Sequence, residues 1–268
     1  MAFKKILIAF DNSAPSRVAL QKACDMSSKF GSSLTALFVD NKGDGSFMDS
    51  KKFLEDFASS KDLELEIVER EGRVYSEVMK LEKDGDFELI IMGTHGHGGW
   101  QKFWVGSNAF KVISSSSCPV ISVQESSQDS TFDNIVLPLA NSDTTRQKVP
   151  YCMAIAKAFN ATVHILAVSK SDSDKTKQKV HSYVRQAERY LAERNVRYTV
   201  QDRMGSAVPE TIIDFAQEVN AGLLLIMTET ESAGVFMDTY AQQLVNQSPI
   251  PVMSVHSRDT KLIGNSGY

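Results

Sequence analysis

Short, unbroken apolar runs alternate along this chain with longer stretches whose apolar residues recur every three or four positions. KILIAF (5–10), ALFV (36–39), LIIM (89–92) and VISV (120–123) are apolar on both faces. That pattern predicts strands of a parallel sheet covered by helices on each side. LELEIVE (63–69) alternates instead and belongs nearer a sheet edge. Between the first two runs, Val18, Leu20, Ala23, Cys24 and Met26 fall at near-helical spacing, and Gly31 stands where a helix end favours a left-handed residue. Strands alternating with helices in this way predict an open doubly wound α/β fold.

The pattern then occurs a second time. Residues 4–40 align without a gap on residues 133–169, so that Ile6 meets Ile135, Asn12–Ser13 meets Asn141–Ser142, Phe30 meets Phe159 and Val39 meets Val168. The halves also close alike, with ELIIM and LLLIM, then CPVISV and IPVMSV. A repeat of half the chain signals two related domains rather than a solenoid. The expected division is 1–125 and 132–257, joined by the polar, Ser-rich segment QESSQDSTFD (124–133), with 258–268 as an aperiodic tail.

Composition narrows the function classes. Hydrophobic residues make up 42% and charged residues 23%, ordinary for a chain with a real core. A net charge of −4 argues against nucleic acid as the main partner. No apolar run approaches the roughly 20 residues that span a bilayer, and MAFKKILIAFDNS reads as an opening strand closed by Asp11 rather than a leader. Cys24, Cys118 and Cys152 form no CxxC pair and read as buried hydrophobes of a reducing compartment, which points to the cytoplasm.

The candidate chemistry lies in GTHGHGGWQKFWVGS (93–107), between an apolar strand and a helix. In open α/β sheets ligands bind beyond the carboxyl ends of the strands, where the strand order reverses. Glycines there let backbone N–H groups approach phosphate oxygens, and the helix beginning near Ser107, which is expected to cap it, offers free amides and a positive dipole end. The segment is thus a candidate phosphate cradle facing Asp11, with a plain flexible connector as the alternative on composition alone. GxxxxGK[ST] is absent, and GxGxxG fails because Gln101 stands at its third glycine.

The spacing Gly93-x2-Gly96-x9-Gly106-Ser107 resembles the ATP-binding signature of the universal stress protein family, and the resemblance extends over the opening strand and helix, LFVD and CPVISV. It implies two tandem flavodoxin/Rossmann-like domains of the adenine-nucleotide alpha hydrolase-like type. It also implies adenine-nucleotide binding in the first domain. On the matching positions Asp11 would contact the ribose and Val39 the adenine. Gly93 would lie against the ribose, while Gly96, Gly106, Ser107 and Asn108 would hold the phosphates. Ala9 stands where some nucleotide-binding members have proline. Any Mg²⁺ would be held by phosphates and water, since no carboxylate cage is evident and no residue is assigned as a metal ligand. The resemblance further implies that CPVISV and IPVMSV join the like domains as a pseudo-dimer, an arrangement that leaves room for a homodimer. On this reading Gly106→Val would remove the nucleotide and spare the fold.

The second half departs from the signature. Ala140 replaces the aspartate, Thr228 and Glu231 stand near the first two glycines, and Asp238-Thr239 replaces Gly-Ser, so no ATP is expected there. His95 and His97 are too few for a structural zinc site, and Trp100, Phe103 and Trp104 are expected to pack on the protein rather than on a ligand. Lys102 is the loop's one cation. No catalytic residue is assigned. Three readings follow: a cytoplasmic ATP-binding stress or regulatory protein, a slow ATPase or phosphotransferase, or a scaffold acting through an unidentified protein partner.

Overall fold

The computed structural model describes residues 3–40, 46–94, 106–205, 207–228 and 239–257. The first half runs β1 (Lys5–Phe10), α1 (Ala14–Phe30), β2 (Ser33–Asp40), α2 (Ser46–Ser60), β3 (Leu65–Glu71), α3 (Val74–Gly85), β4 (Leu89–Gly93), α4 (Ser107–Ser115) and β5 (Val120–Val123). The second runs β6 (Asn134–Leu139), α5 (Val149–Phe159), β7 (Thr162–Ser169), α6 (Asp174–Ala192), β8 (Arg197–Met204), α7 (Val208–Glu218), β9 (Leu223–Thr228), α8 (Thr239–Gln247) and β10 (Val252–His256).

The ten strands of the described residues join one sheet in the order β3-β2-β1-β4-β5-β10-β9-β6-β7-β8. Among the described residues every pairing is parallel except β5 with β10, where Ile121 faces Met253 in an antiparallel register. The two halves therefore meet strand to strand through the segments whose sequences are nearly identical. The alternating LELEIVE pattern does mark an edge, since β3 closes one end of the sheet.

Each central strand buries both faces because helices cover both. Along β1, Ile6 and Ile8 enter one core with Val18 and Ala19 of α1, while Leu7 enters the opposite core with Val112 of α4. Both cores continue across the β5–β10 seam into the second half. The repeat is also kept in detail: Phe3 meets Phe30 edge-on at 5.2 Å, and the corresponding Phe132 meets Phe159 at 5.0 Å. Local signals behave as read. Ser13 caps α1, and Gly31 ends it at φ 65° with its N–H donating to the Ser27 carbonyl at 2.8 Å.

The segment between the halves is docked along the protein. Buried Lys22 of α1 donates to the carbonyls of Gln128, at 3.0 Å, and Ser130. Gln124 donates to the Asn246 carbonyl, and Ser127 to that of Pro249. No helix among the described residues is long and apolar enough to cross a membrane.

Candidate functional site

Within the first half, β1 is the strand at which the order reverses, with β2 on one side and β4 on the other. The chain leaves β1 and β4 toward opposite faces, which opens a crevice beyond their carboxyl ends. The turn after β1 forms one wall. Asp11 is exposed, and its Oδ1 accepts from the Ser13 N–H at 3.1 Å and the Ser13 hydroxyl at 2.5 Å. Asn12 between them is left-handed, at φ 63°. The Asp11 N–H donates to Ser16 Oγ at 3.4 Å, closing the turn onto α1.

The other wall is the junction of β4 and α4. Thr94, 2% exposed, is held by its N–H and hydroxyl on the Val123 carbonyl. Its own carbonyl accepts from the Gly106 N–H at 2.8 Å, so the two ends of the glycine segment are clipped together. Gly106 rather than Ser107 is the N-cap of α4, and it makes no side-chain cap hydrogen bond. The expectation of a Ser107 cap is thereby corrected: Ser107 already has a place in the first turn, so its hydroxyl is not positioned as a cap. The intrahelical ladder begins with the Phe110 N–H on the Gly106 carbonyl. The amides of Ser107, Asn108 and Ala109 precede it and have no intrahelical acceptor. Ser107 and Asn108 are exposed beside them.

The glycines of the signature have different reasons to be glycine. A Cβ on Gly93 would lie 2.7 Å from the Pro15 Cβ and 2.9 Å from the Ser16 nitrogen, so this position is closed by the first turn of α1. At Gly106 a Cβ would meet the Thr94 carbonyl oxygen at 3.2 Å. A valine there would press on that clip as well as on any ligand, so Gly106→Val does not test the ligand alone. Ala9, half-buried, sits in β1 between Leu37 and Met92, and half-buried Val39 lies near the end of β2 beside Arg70. Gly96, His95, His97, Trp100, Lys102, Phe103 and Trp104 lie outside the described residues, as do Glu229, Glu231 and Asp238.

α4 is fixed from its far end by a residue that the sequence did not single out. Buried Glu82 of α3 accepts through Oε1 from the Ser116 hydroxyl, the Ser117 N–H and hydroxyl, and the Cys118 N–H, all within 3.0 Å. Burial pushes the neighbouring Cys118 thiol up to about 12, so it stays protonated and inert. Among the described residues, no three His, Cys, Asp or Glu side chains gather as metal ligands would.

The corresponding crevice of the second half is built differently. The Ala140 N–H still donates to Thr145 Oγ1, mirroring Asp11 and Ser16, but the carboxylate is gone. In the sheet register Met227, not the Thr228 expected from the sequence, takes the place of Gly93, and it packs against the core that contains Leu139, Val149 and Cys152. A methionine cannot lie under a helix turn packed as closely as the first turn of α1. Accordingly the first turn here is a separate 3-10 turn, Asp143–Arg146, and α5 begins only at Val149. Between them Lys148 is 3% exposed, its Nζ donating to the carbonyl (2.9 Å) and hydroxyl (3.1 Å) of Thr145. Burial lowers its pKa to about 7, opposed by the nearby Cys152. Asp143 accepts from the Tyr183 hydroxyl and from Lys179, both on α6. Met227 and buried Lys148 thus stand where the first half has Gly93 and Ala19.

Comparison with known proteins agrees with this architecture. A universal stress protein from Archaeoglobus fulgidus DSM 4304 superposes with a TM-score of 0.79 over 96% of this chain and 100% of that chain, at 20% identity. A functionally unknown protein from Pseudomonas aeruginosa PAO1 gives 0.74 over 96% of this chain and 93% of that chain, at 15% identity. At such identities the likeness speaks for the fold alone. No curated protein sequence matches significantly. Residues 2–124 and 131–256, however, each match the model of the universal stress protein family. The chain belongs to the universal stress protein family and carries that family's domain twice in tandem.

Proposed function

We propose that this protein binds an adenine nucleotide, ATP in the first instance, in its first half, and acts in the cytoplasm as a stress or regulatory protein rather than as an efficient enzyme. The observation that supports this reading is the clip between Gly106 and Thr94, which brings the uncapped first turn of α4 to the crevice bordered by Asp11. Uncapped amides at a helix N-terminus favour an anion through hydrogen bonds and the helix dipole together. Asp11 keeps one carboxylate oxygen engaged by Ser13 and leaves the other to accept from ribose hydroxyls. Ala9 and Val39 line the same strand ends and would border the base, with Gly93 against the ribose and Gly96, Gly106, Ser107 and Asn108 toward the phosphates. Mg²⁺, if it accompanies the triphosphate, would be carried by phosphates and water. The second half, with Ala140 in place of Asp11 and Met227 in place of Gly93, would serve as structural partner.

The test begins with the protein as purified: denature it, separate the released small molecules, and incubate a second sample with Mg²⁺ and ATP. Bound adenylate without sustained ADP formation supports the reading. Multiple turnovers would favour a slow ATPase, and no adenylate with no measurable ATP affinity would favour a scaffold. Ser107→Glu sharpens the test. A carboxylate in the first turn of α4 complements the helix dipole by about 0.3–1 kcal/mol. The same charge repels a phosphate. Thermal stability should hold or rise slightly while ATP affinity falls at least about ten-fold. A parallel loss of both, or no change in affinity, would count against the site.

A further inference from the structure

Both halves carry an arginine at the same place in the repeat, and both lay it on an aromatic ring of the helix that follows the second strand. The Arg17 guanidinium carbon is 4.4 Å from the centre of the Phe53 ring on α2, and that of Arg146 is 4.7 Å from the Tyr183 ring on α6. Phe53 is itself stacked on Phe10, the last residue of β1, at 5.8 Å. A shared arginine–aromatic stack is explained by packing alone. What the two arginines do next differs.

Arg17 donates from Nε to the Asn12 side-chain oxygen at 3.0 Å, and Asn12 is left-handed at φ 63°. Arg146 donates instead to Gln186 on α6, and its counterpart Asn141 is not among the residues with positive φ. Left-handed backbone is unfavourable for a residue with a Cβ, although asparagine tolerates it better than most. In the first half a side-chain clasp accompanies that conformation, and the residue before it is Asp11. In the second half clasp and left-handed turn are both absent, and the preceding residue is Ala140. The clasp is therefore present in the half that has a carboxylate to aim.

Resting on the nucleotide reading above, we propose that Arg17 is a positioning residue for ribose recognition. Stacked on Phe53, it holds Asn12 in its left-handed turn and so sets the Asp11 carboxylate toward the ribose hydroxyls. The first half then distinguishes ribonucleotides from their deoxy counterparts. Arg17 acts through Asn12 and Asp11 and need not touch the ligand.

The experiment is calorimetric titration of the full chain with Mg²⁺ plus ATP, 2′-deoxy-ATP or 3′-deoxy-ATP. Wild type should prefer ATP to at least one deoxy analogue by about ten-fold, the scale of a hydrogen bond to a charged group. Arg17→Met should bring ATP affinity down to that of the analogue, leave the analogue itself nearly unchanged, and so erase the ratio. Adding Asn12→Gly, which takes positive φ without a clasp, should restore much of it. A purely structural role for Arg17 would weaken all three nucleotides together and would not be rescued by glycine. An unchanged ratio in Arg17→Met overturns the proposal. Wild type binding all three equally would also overturn it, leaving the nucleotide site standing. Wild type binding none of them would overturn the nucleotide reading itself, and this inference with it.

Discussion

Lys148→Met should make the protein more stable at pH 7, by about 2–4 kcal/mol, and the advantage should vanish between about pH 8 and 10 and reverse by pH 10.5. Lys148 is buried, and burial lowers its pKa from 10.5 to about 7. In the unfolded chain the ammonium persists up to its ordinary pKa. The folded state thus carries the full penalty of a buried cation below pH 7, and the penalty declines steadily between pH 7 and 10.5 as the folded-state amine stays neutral. A displacement of that size corresponds to about 5 kcal/mol. Methionine fills similar volume without the charge, but it leaves the carbonyl and hydroxyl of Thr145 without their donor, a loss of about 1–3 kcal/mol. The net gain at neutral pH is what remains. Urea denaturation of both proteins from pH 6.5 to 10 checks this, since other titrating groups cancel in the difference. A difference that does not change with pH would show that Lys148 is not the group responsible.

The second large effect is expected at Gly93. Alanine there places a methyl group 2.7–2.9 Å from Pro15 and Ser16, two of those contacts being with backbone that cannot swing aside. The first turn of α1 must lift off β4, with an overpacking cost of about 1–3 kcal/mol. Since Ser16 also receives the Asp11 N–H, the displacement should carry Asp11 with it, and ATP binding should fall below detection. Gly106→Ala is the instructive contrast. Its single close contact, 3.2 Å to the Thr94 oxygen, asks for a shift of a few tenths of an ångström. Its stability loss should stay under about 1 kcal/mol. Chemical denaturation and calorimetry on the two variants decide it. Equal stability losses, or a Gly93→Ala protein that binds ATP like wild type, would refute the assignment of Gly93 to the packing of α1.

These two glycines mark how far the signature could be read. Their spacing pointed to the ends of β1 and β4 as the candidate site, because spacing is a property of the chain. It could not separate a glycine excluded by the Pro15 turn from one that clips a loop, because Pro15 is remote in sequence from Gly93. The same limit explains Ser107. A serine following a glycine at a strand–helix junction suggests a cap, and only the backbone angles of Gly106 show that the helix begins one residue earlier, at Ser107 itself. Arg17 was visible as a repeated arginine, yet nothing local distinguishes one that clasps Asn12 from one that turns to Gln186. Lys148, aligned with Ala19 of the repeat, carried a readable signal in hindsight: a lysine at a position that its twin buries.

From the chain alone came the alternation of strands and helices, the doubling of the domain, the edge strand and the proposal of a ligand site in the first half. Each of these is encoded in neighbours along the backbone: periodicity, turn residues and internal repetition. Tertiary contact was needed to settle how ten strands merge into one sheet through an antiparallel seam, why Gly93 must lack a side chain, and how a lysine comes to be buried in the second half. Those outcomes depend on which distant groups are pressed together, and packing density and burial are properties that no local window of sequence contains.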